Sequence, residues 1–183
     1  MVKKGQKIRA RHIDIATFEG TDDCVVVEGI FKDDRFFDMY LHTGKISPPG
    51  TIHHMVIRME VSIPQLIIRD IEVELPSVPH KICRELQQSL DPVRGLPIAS
   101  GFTRKAKDLV GGTKGCYHLL SLLTAMAPAV TQGAWSQMAR EPLPPENHGP
   151  KALKRLKNTC WVWREDGPLI KEILGNEDVE PEA

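Results

Sequence analysis

Aromatic residues are scarce: three tryptophans, two tyrosines and five phenylalanines serve 183 residues. The core must therefore be assembled mainly from aliphatic side chains. Neither sign of charge is in excess, with 24 basic residues balancing 24 acidic ones. The chain as a whole has no electrostatic pull toward nucleic acid or anionic lipid, so neither is expected as a partner. No run of about eighteen apolar residues occurs, so no membrane-spanning helix is expected. The basic N-terminus, MVKKGQKIRARH, has no apolar run behind it and does not read as a signal peptide. Cysteines are few and far apart (Cys24, Cys83, Cys116 and Cys160), without the spacing of a secreted disulfide scaffold. A bacterial cytoplasm is the expected compartment. Also missing are a G-x-G-x-x-G fingerprint, a phosphate loop, a G-x-S-x-G elbow and an H-E-x-x-H pair. Nucleotide cofactors and serine hydrolysis are disfavoured accordingly.

What is present is ordinary globular composition, 41% apolar and 26% charged, in a chain long enough for one domain with a real core. The expectation is a single α+β domain over 1–183, with a core from about 7 to 138. The first half carries the period of two that marks strands. Residues 7–18 alternate imperfectly, and Cys24 to Ile30 are rich in β-branched residues. Asp33-Asp34 reads as a turn, RFFDMYLH as a further strand, and Ser47-Pro48-Pro49-Gly50 as a loop. In HHMVIRMEV, Ile57, Met59 and Val61 point one way and Arg58 and Glu60 the other. LIIRDIEVEL follows, with Ile67, Arg69, Ile71 and Val73 assigned to the inner face of an antiparallel hairpin.

Past Pro76 and Pro79 the period lengthens to about 3.6 residues. Ile82, Leu86 and Leu90 form one helical stripe, Phe102 to Val110 a short helix ended by Gly111-Gly112, and Cys116 to about Met138 the longest helix, with Pro128 as its weak point. An antiparallel β-meander packed on these helices is the resulting fold expectation. Residues 140–150 read as a proline-rich loop, 151–175 as a small closing element with TCWVW as a strand, and 176–183 as a frayed acidic tail.

Three local patterns stand in order: Gly50-Thr51-Ile52-His53, Pro79-His80-Lys81-Ile82-Cys83, and Gly111 to Leu119, which contains Gly115-Cys116-Tyr117-His118. Together they resemble a bacterial family catalogued only as domain of unknown function 2889, over roughly residues 8–170. A remoter likeness is to the U-type iron–sulfur cluster scaffold proteins, which implies the same order of meander and helices. In that likeness His53, Cys83 and Cys116 occupy the positions of three cluster cysteines. Met55 stands where the scaffold proteins have an aspartate.

His53, Cys83 and Cys116 are the expected metal ligands if a metal is bound, because imidazole and thiolate suit zinc. The alternative for both cysteines is a small buried core residue. His53, His118 and Cys116 are the expected catalytic residues. An imidazole with a pKa near 6.5 suits proton transfer at neutral pH, and a thiol at a helix start is a candidate nucleophile. The competing readings are a core histidine and a plain glycine-rich helix entry. Arg58 and Arg69 are candidates for a substrate carboxylate, against the alternative of structural ion pairs. Phe37 and Tyr40, with Phe36, would line a pocket for a flat apolar ligand, or simply pack.

The leading functional expectation is a small enzyme without an organic cofactor. It would perform acid–base chemistry on a small carboxylated, aromatic or acyl catabolic intermediate, as a retro-aldol lyase, isomerase or dehydratase. A metal- or cluster-binding accessory protein is the second. The third is a non-catalytic partner subunit using 140–150 and the basic residues Lys151, Lys154, Arg155 and Lys157 as its interface. Assembly as a homo-oligomer is compatible with each.

Overall fold

The computed structural model describes residues 1–142 and 156–175. Most of the proline-rich segment 140–150 and of the basic run, like the acidic tail, falls outside the described residues. The chain falls into two compact units, Met1–Met138 and Ala139–Ala183.

In the first unit, β1 (Arg9–Glu19), β2 (Cys24–Arg35), β5 (Gly50–Ser62) and β6 (Ile68–Ser77) form one sheet in that order, each antiparallel to its neighbour. A small hairpin, β3 (Met39–Tyr40) and β4 (Ile46–Ser47), is inserted between β2 and β5. This is the expected meander. Helices α1 (Phe102–Val110) and α2 (Tyr117–Met138) supply the second layer. Their bounds agree with the periodicity within one residue, and α2 continues through Pro128.

The strand faces follow the alternation. Val25, Val27, Phe31, Met55, Ile57, Met59 and Val61 are buried on the side that α2 covers with Leu119, Leu122, Leu123, Met126 and Val130. Each such side chain is worth about 1.5–3 kcal/mol on burial. The helix comes close because glycine permits it. A Cβ on Gly29 would lie 2.6 Å from the Met126 sulfur, and one on Gly133 would lie 2.2 Å from Thr17 Cγ2.

Four expectations in this unit need correction. Asp33-Asp34 is no turn: β2 runs through both residues, and Asp33 is 1% exposed. The segment RFFDMYLH contributes only the two-residue β3, because buried Arg35 donates to the carbonyls of Phe37, Ser47 and Pro48 and so folds the chain back on itself. Arg69 does not face inward. Val61 pairs with Ile68 and Glu60 with Asp70, leaving Arg69 as an extra residue whose exposed side chain reaches the Asp22 carbonyl. This bulge shifts the phase, so Ile68, Ile71, Val73 and Leu75 are the buried set. Lys81–Gln88 is a 3₁₀ run with no buried residue, and Ile82 is exposed. A 3₁₀ turn has three residues per turn, so the spacing of Ile82, Leu86 and Leu90 no longer makes one stripe.

In the second unit, 159–163 forms turns and bends where a strand was expected, and α3 (Pro168–Gly175) follows. Thr159 and Gly167 close local turns onto Leu156 and Arg164 carbonyls, so their backbone groups are met without a ladder. All four cysteines are free thiols. Among the described residues no helix is long and apolar enough to cross a membrane.

Candidate active site

Where β2 nears its C-terminal end, the period of two that buries Val25, Val27 and Phe31 carries one step further and buries an aspartate. The register places Arg11 of β1 opposite Asp33, and Asp33 opposite His53 of β5. A row of three ionisable side chains thus crosses the sheet face that α2 covers. Immediately beyond it the β2–β5 pairing shifts, with Asp34 opposite Thr51 and Ile52 left as the extra residue. Bulges of this kind are frequent beside functional sites because they re-aim side chains. Thr51 Oγ1 donates to Asp34 Oδ1 at 2.6 Å and fixes the bulged end.

Asp33 is held by two arginines. Arg9 donates from Nε at 3.1 Å and from a terminal nitrogen at 2.7 Å, and Arg11 donates to the same Oδ2 at 3.3 Å. Burial alone would raise the Asp33 pKa, but the Arg9 hydrogen bond and charge, aided by Arg11, outweigh it and hold the carboxyl below its usual range. The arginine side chains themselves are 48% and 42% exposed. With Asp33 ionised, the three groups carry one net positive charge.

His53 is 8% exposed. Its Nδ1 stands 3.4 Å from Asp33 Oδ2, close enough for charge interaction. The ring is not aimed to make that contact a hydrogen bond, and Nδ1 has no hydrogen-bond partner. Burial, joined by the charges of Arg9 and Arg11, lowers the His53 pKa against the opposing pull of Asp33.

The second imidazole comes from the helix. The Cys116 carbonyl accepts the Leu120 amide at 3.0 Å, so Cys116 is where α2 begins and His118 lies in its first turn. The His118 and His53 ring centroids are 4.1 Å apart with the planes tilted by 36°. Phe31 packs edge-on to His53 and 5.3 Å from His118, with Arg11 over its face. Burial first, then the neighbouring His53 and Arg11, lowers the His118 pKa. Two imidazoles favoured in the neutral form therefore stack above an ionised carboxylate. Cys116 Sγ lies 3.8 Å from His118 Nδ1 at the rim.

The carboxylate oxygen and one nitrogen from each ring all lie within 4.8 Å of one another, and all three residues are of metal-ligating type. Cys83, in the 3₁₀ run, and Cys116 do not belong to this group. Of the other residues singled out in the sequence, Arg58 is held between Glu28, at 2.6 Å, and Glu74 on the neighbouring strands. Phe37 and Tyr40 are exposed on and beside the small hairpin, and Arg69 is exposed on its bulge. Asp33, Arg9 and Arg11 were not singled out. Extending the alternation past Phe31 would have found Asp33, whereas the arginines lie in a basic stretch that looks like a solvated arm.

Sheet, helix and centre together define an α+β domain. It is an antiparallel meander whose helix-covered face ends in a buried aspartate beneath two histidines. The chain belongs to the family described as protein of unknown function (DUF2889), whose model matches residues 9–132. The match begins at the first residue of β1 and ends within α2, so it spans Arg9, Arg11, Asp33, His53 and His118. No curated protein and no solved structure matches the chain at a significant level.

Proposed function

We propose that the chain is a small enzyme without an organic cofactor, performing acid–base chemistry on a compact carboxylated substrate. The observation that carries this reading is the stack of His53 and His118 at 4.1 Å over buried Asp33. An imidazole held neutral is ready to accept a proton at neutral pH, and the second imidazole is placed to return one elsewhere on the same molecule. Asp33 stabilises the charged ring formed in the transfer, as a carboxylate behind a catalytic histidine does.

Arg9 and Arg11 take the role first sought in Arg58 and Arg69. Their half-exposed guanidinium groups leave the centre net positive and rich in donors, which suits a carboxylate. Proton abstraction, with the resulting charge held by cationic and imidazole donors, fits a retro-aldol lyase, an isomerase or a dehydratase. An aromatic substrate would stack on His118, the more open of the two rings. The enzyme works on a small molecule in the cytoplasm, without nucleic acid or membrane as partner.

The test is NMR of the histidine rings during titration with benzoate and with a 3-hydroxy carboxylate. Saturable shifts at His53 and His118 are expected, weakened about tenfold or more by Arg11→Ala, the loss expected for one charge-assisted bond. Shifts confined to other histidines would reject the reading.

A further inference from the structure

We infer that Asp33, His53 and His118 bind one divalent transition-metal ion of the zinc or ferrous class. Metal binding is an alternative to the proton-transfer roles given to His53 and His118 above, because an imidazole nitrogen that ligates an ion cannot also accept a proton. Three ligand atoms converge from β2, β5 and α2 to within 4.8 Å of one another. Around a zinc ion with bonds of roughly 2.0–2.2 Å, such atoms lie roughly 3–4 Å apart, so side-chain shifts of about 1 Å complete the set. Nothing larger is needed, because His53 and Asp33 are cross-strand neighbours on a rigid sheet and His118 is fixed by the first turn of a helix packed on it.

The donor chemistry names the class of ion. Two imidazole nitrogens and one carboxylate oxygen form the facial set of ferrous oxygenases and also suit catalytic zinc, in each case leaving coordination positions open. Thiolate is missing from the group, which disfavours cuprous ion and iron–sulfur clusters. His53 supplies a further sign. Its Nδ1 is buried without a hydrogen-bond partner, a state that folded proteins rarely tolerate and that a ligand relieves.

Arg9 and Arg11 oppose a cation at the same carboxylate, each bonding Asp33. A metal there consequently prefers an anion as a further ligand, and a substrate carboxylate is one such anion. The open coordination positions give that anion a place.

The full chain, stripped with a chelator, should be titrated with Co²⁺ while visible absorption is followed, and with Zn²⁺ by calorimetry. No substrate is needed, so a failure here is separate from a failure of the acid–base reading. One ion per chain is expected. Asp33→Asn and His118→Gln should each weaken it by about a hundredfold or more, beyond the 10–100-fold typical of outer-shell changes. Cys83→Ser and Cys116→Ser should leave it within about threefold. His118 is less buried than Asp33, so H118Q carries the test if D33N does not fold, judged by circular dichroism. Absence of saturable binding would overturn the proposal, as would binding that survives H118Q and is lost in C83S.

Discussion

One helix covers one face of one sheet, yet the two ends of that contact are built on opposite terms. From Leu122 to Ala134, α2 sets fully buried carbon against Val25, Val27, Ile57 and Met59, and backbone meets side chain at Gly29 and Gly133. From Asp33 to His118 the same face buries a carboxylate and an orphaned imidazole nitrogen. The first end follows the rule for cores, and the second costs stability at each polar atom it hides. Proteins keep such departures where they serve function.

Phe31 joins the two ends, and its loss should be the largest. It is fully buried and touches both histidines. Phe31→Ala should cost about 3–5 kcal/mol in denaturant unfolding and should also broaden the ring resonances of His53 and His118. A cost under about 1 kcal/mol would mean that the ends are not coupled through this ring.

Gly133→Val strikes the apolar end first. Its side chain would drive into Thr17, whose Cβ would itself lie 2.7 Å from the added carbon, and about 1–3 kcal/mol should be lost. A neutral result would show that the helix is not seated on β1 as described.

The smallest effect is the pH response of the polar end. His53 and His118 have folded pKa values below their ordinary one, so the unfolded chain takes up protons first as pH falls. Stability should be level above about pH 7 and decline as pH drops below about 6.5. Asp33, held low, keeps its contribution through that window and loses it only below about pH 4. Thermal unfolding from pH 7.5 to 5.5 should show the decline, and the H118Q variant should show less of it. An equal slope in both would remove His118 as a cause.

The same division governs what the sequence reveals. The carbon-built end is legible because repetition identifies it: Ile57, Met59 and Val61 alternate, and α1 and α2 carry a helical period between glycines. That alternation also places His53, and not His54, inward. The polar end is half legible. His53 and His118 stand out as residue types, but Asp33 is followed by a second aspartate, and the pair imitates a turn. Nothing local says that Arg9 and Arg11 lie in a strand beside it, since that pairing joins residues 22 and 24 positions apart. Bulges defeat the period itself, as at Arg69, where one extra residue reverses every assignment before it.

Two glycines at the contact, Gly29 on β2 and Gly133 on α2 itself, also make the helix a lever. Contact at Gly29 lies under Met126, about midway between His118 and Gly133, which are separated by about 22 Å along the axis at 1.5 Å per residue. Gly29 is the fulcrum, and the hydrogen atom on Gly133 is the shim that sets the height of the far arm. A bulkier residue there would push that arm away from the sheet and, where the push carries through Pro128, tip the near arm toward it. The spacing between His118 and Asp33 is thus adjustable by a residue that touches neither, and substitutions at Gly133 or Thr17 would retune the centre without altering any of its chemical groups.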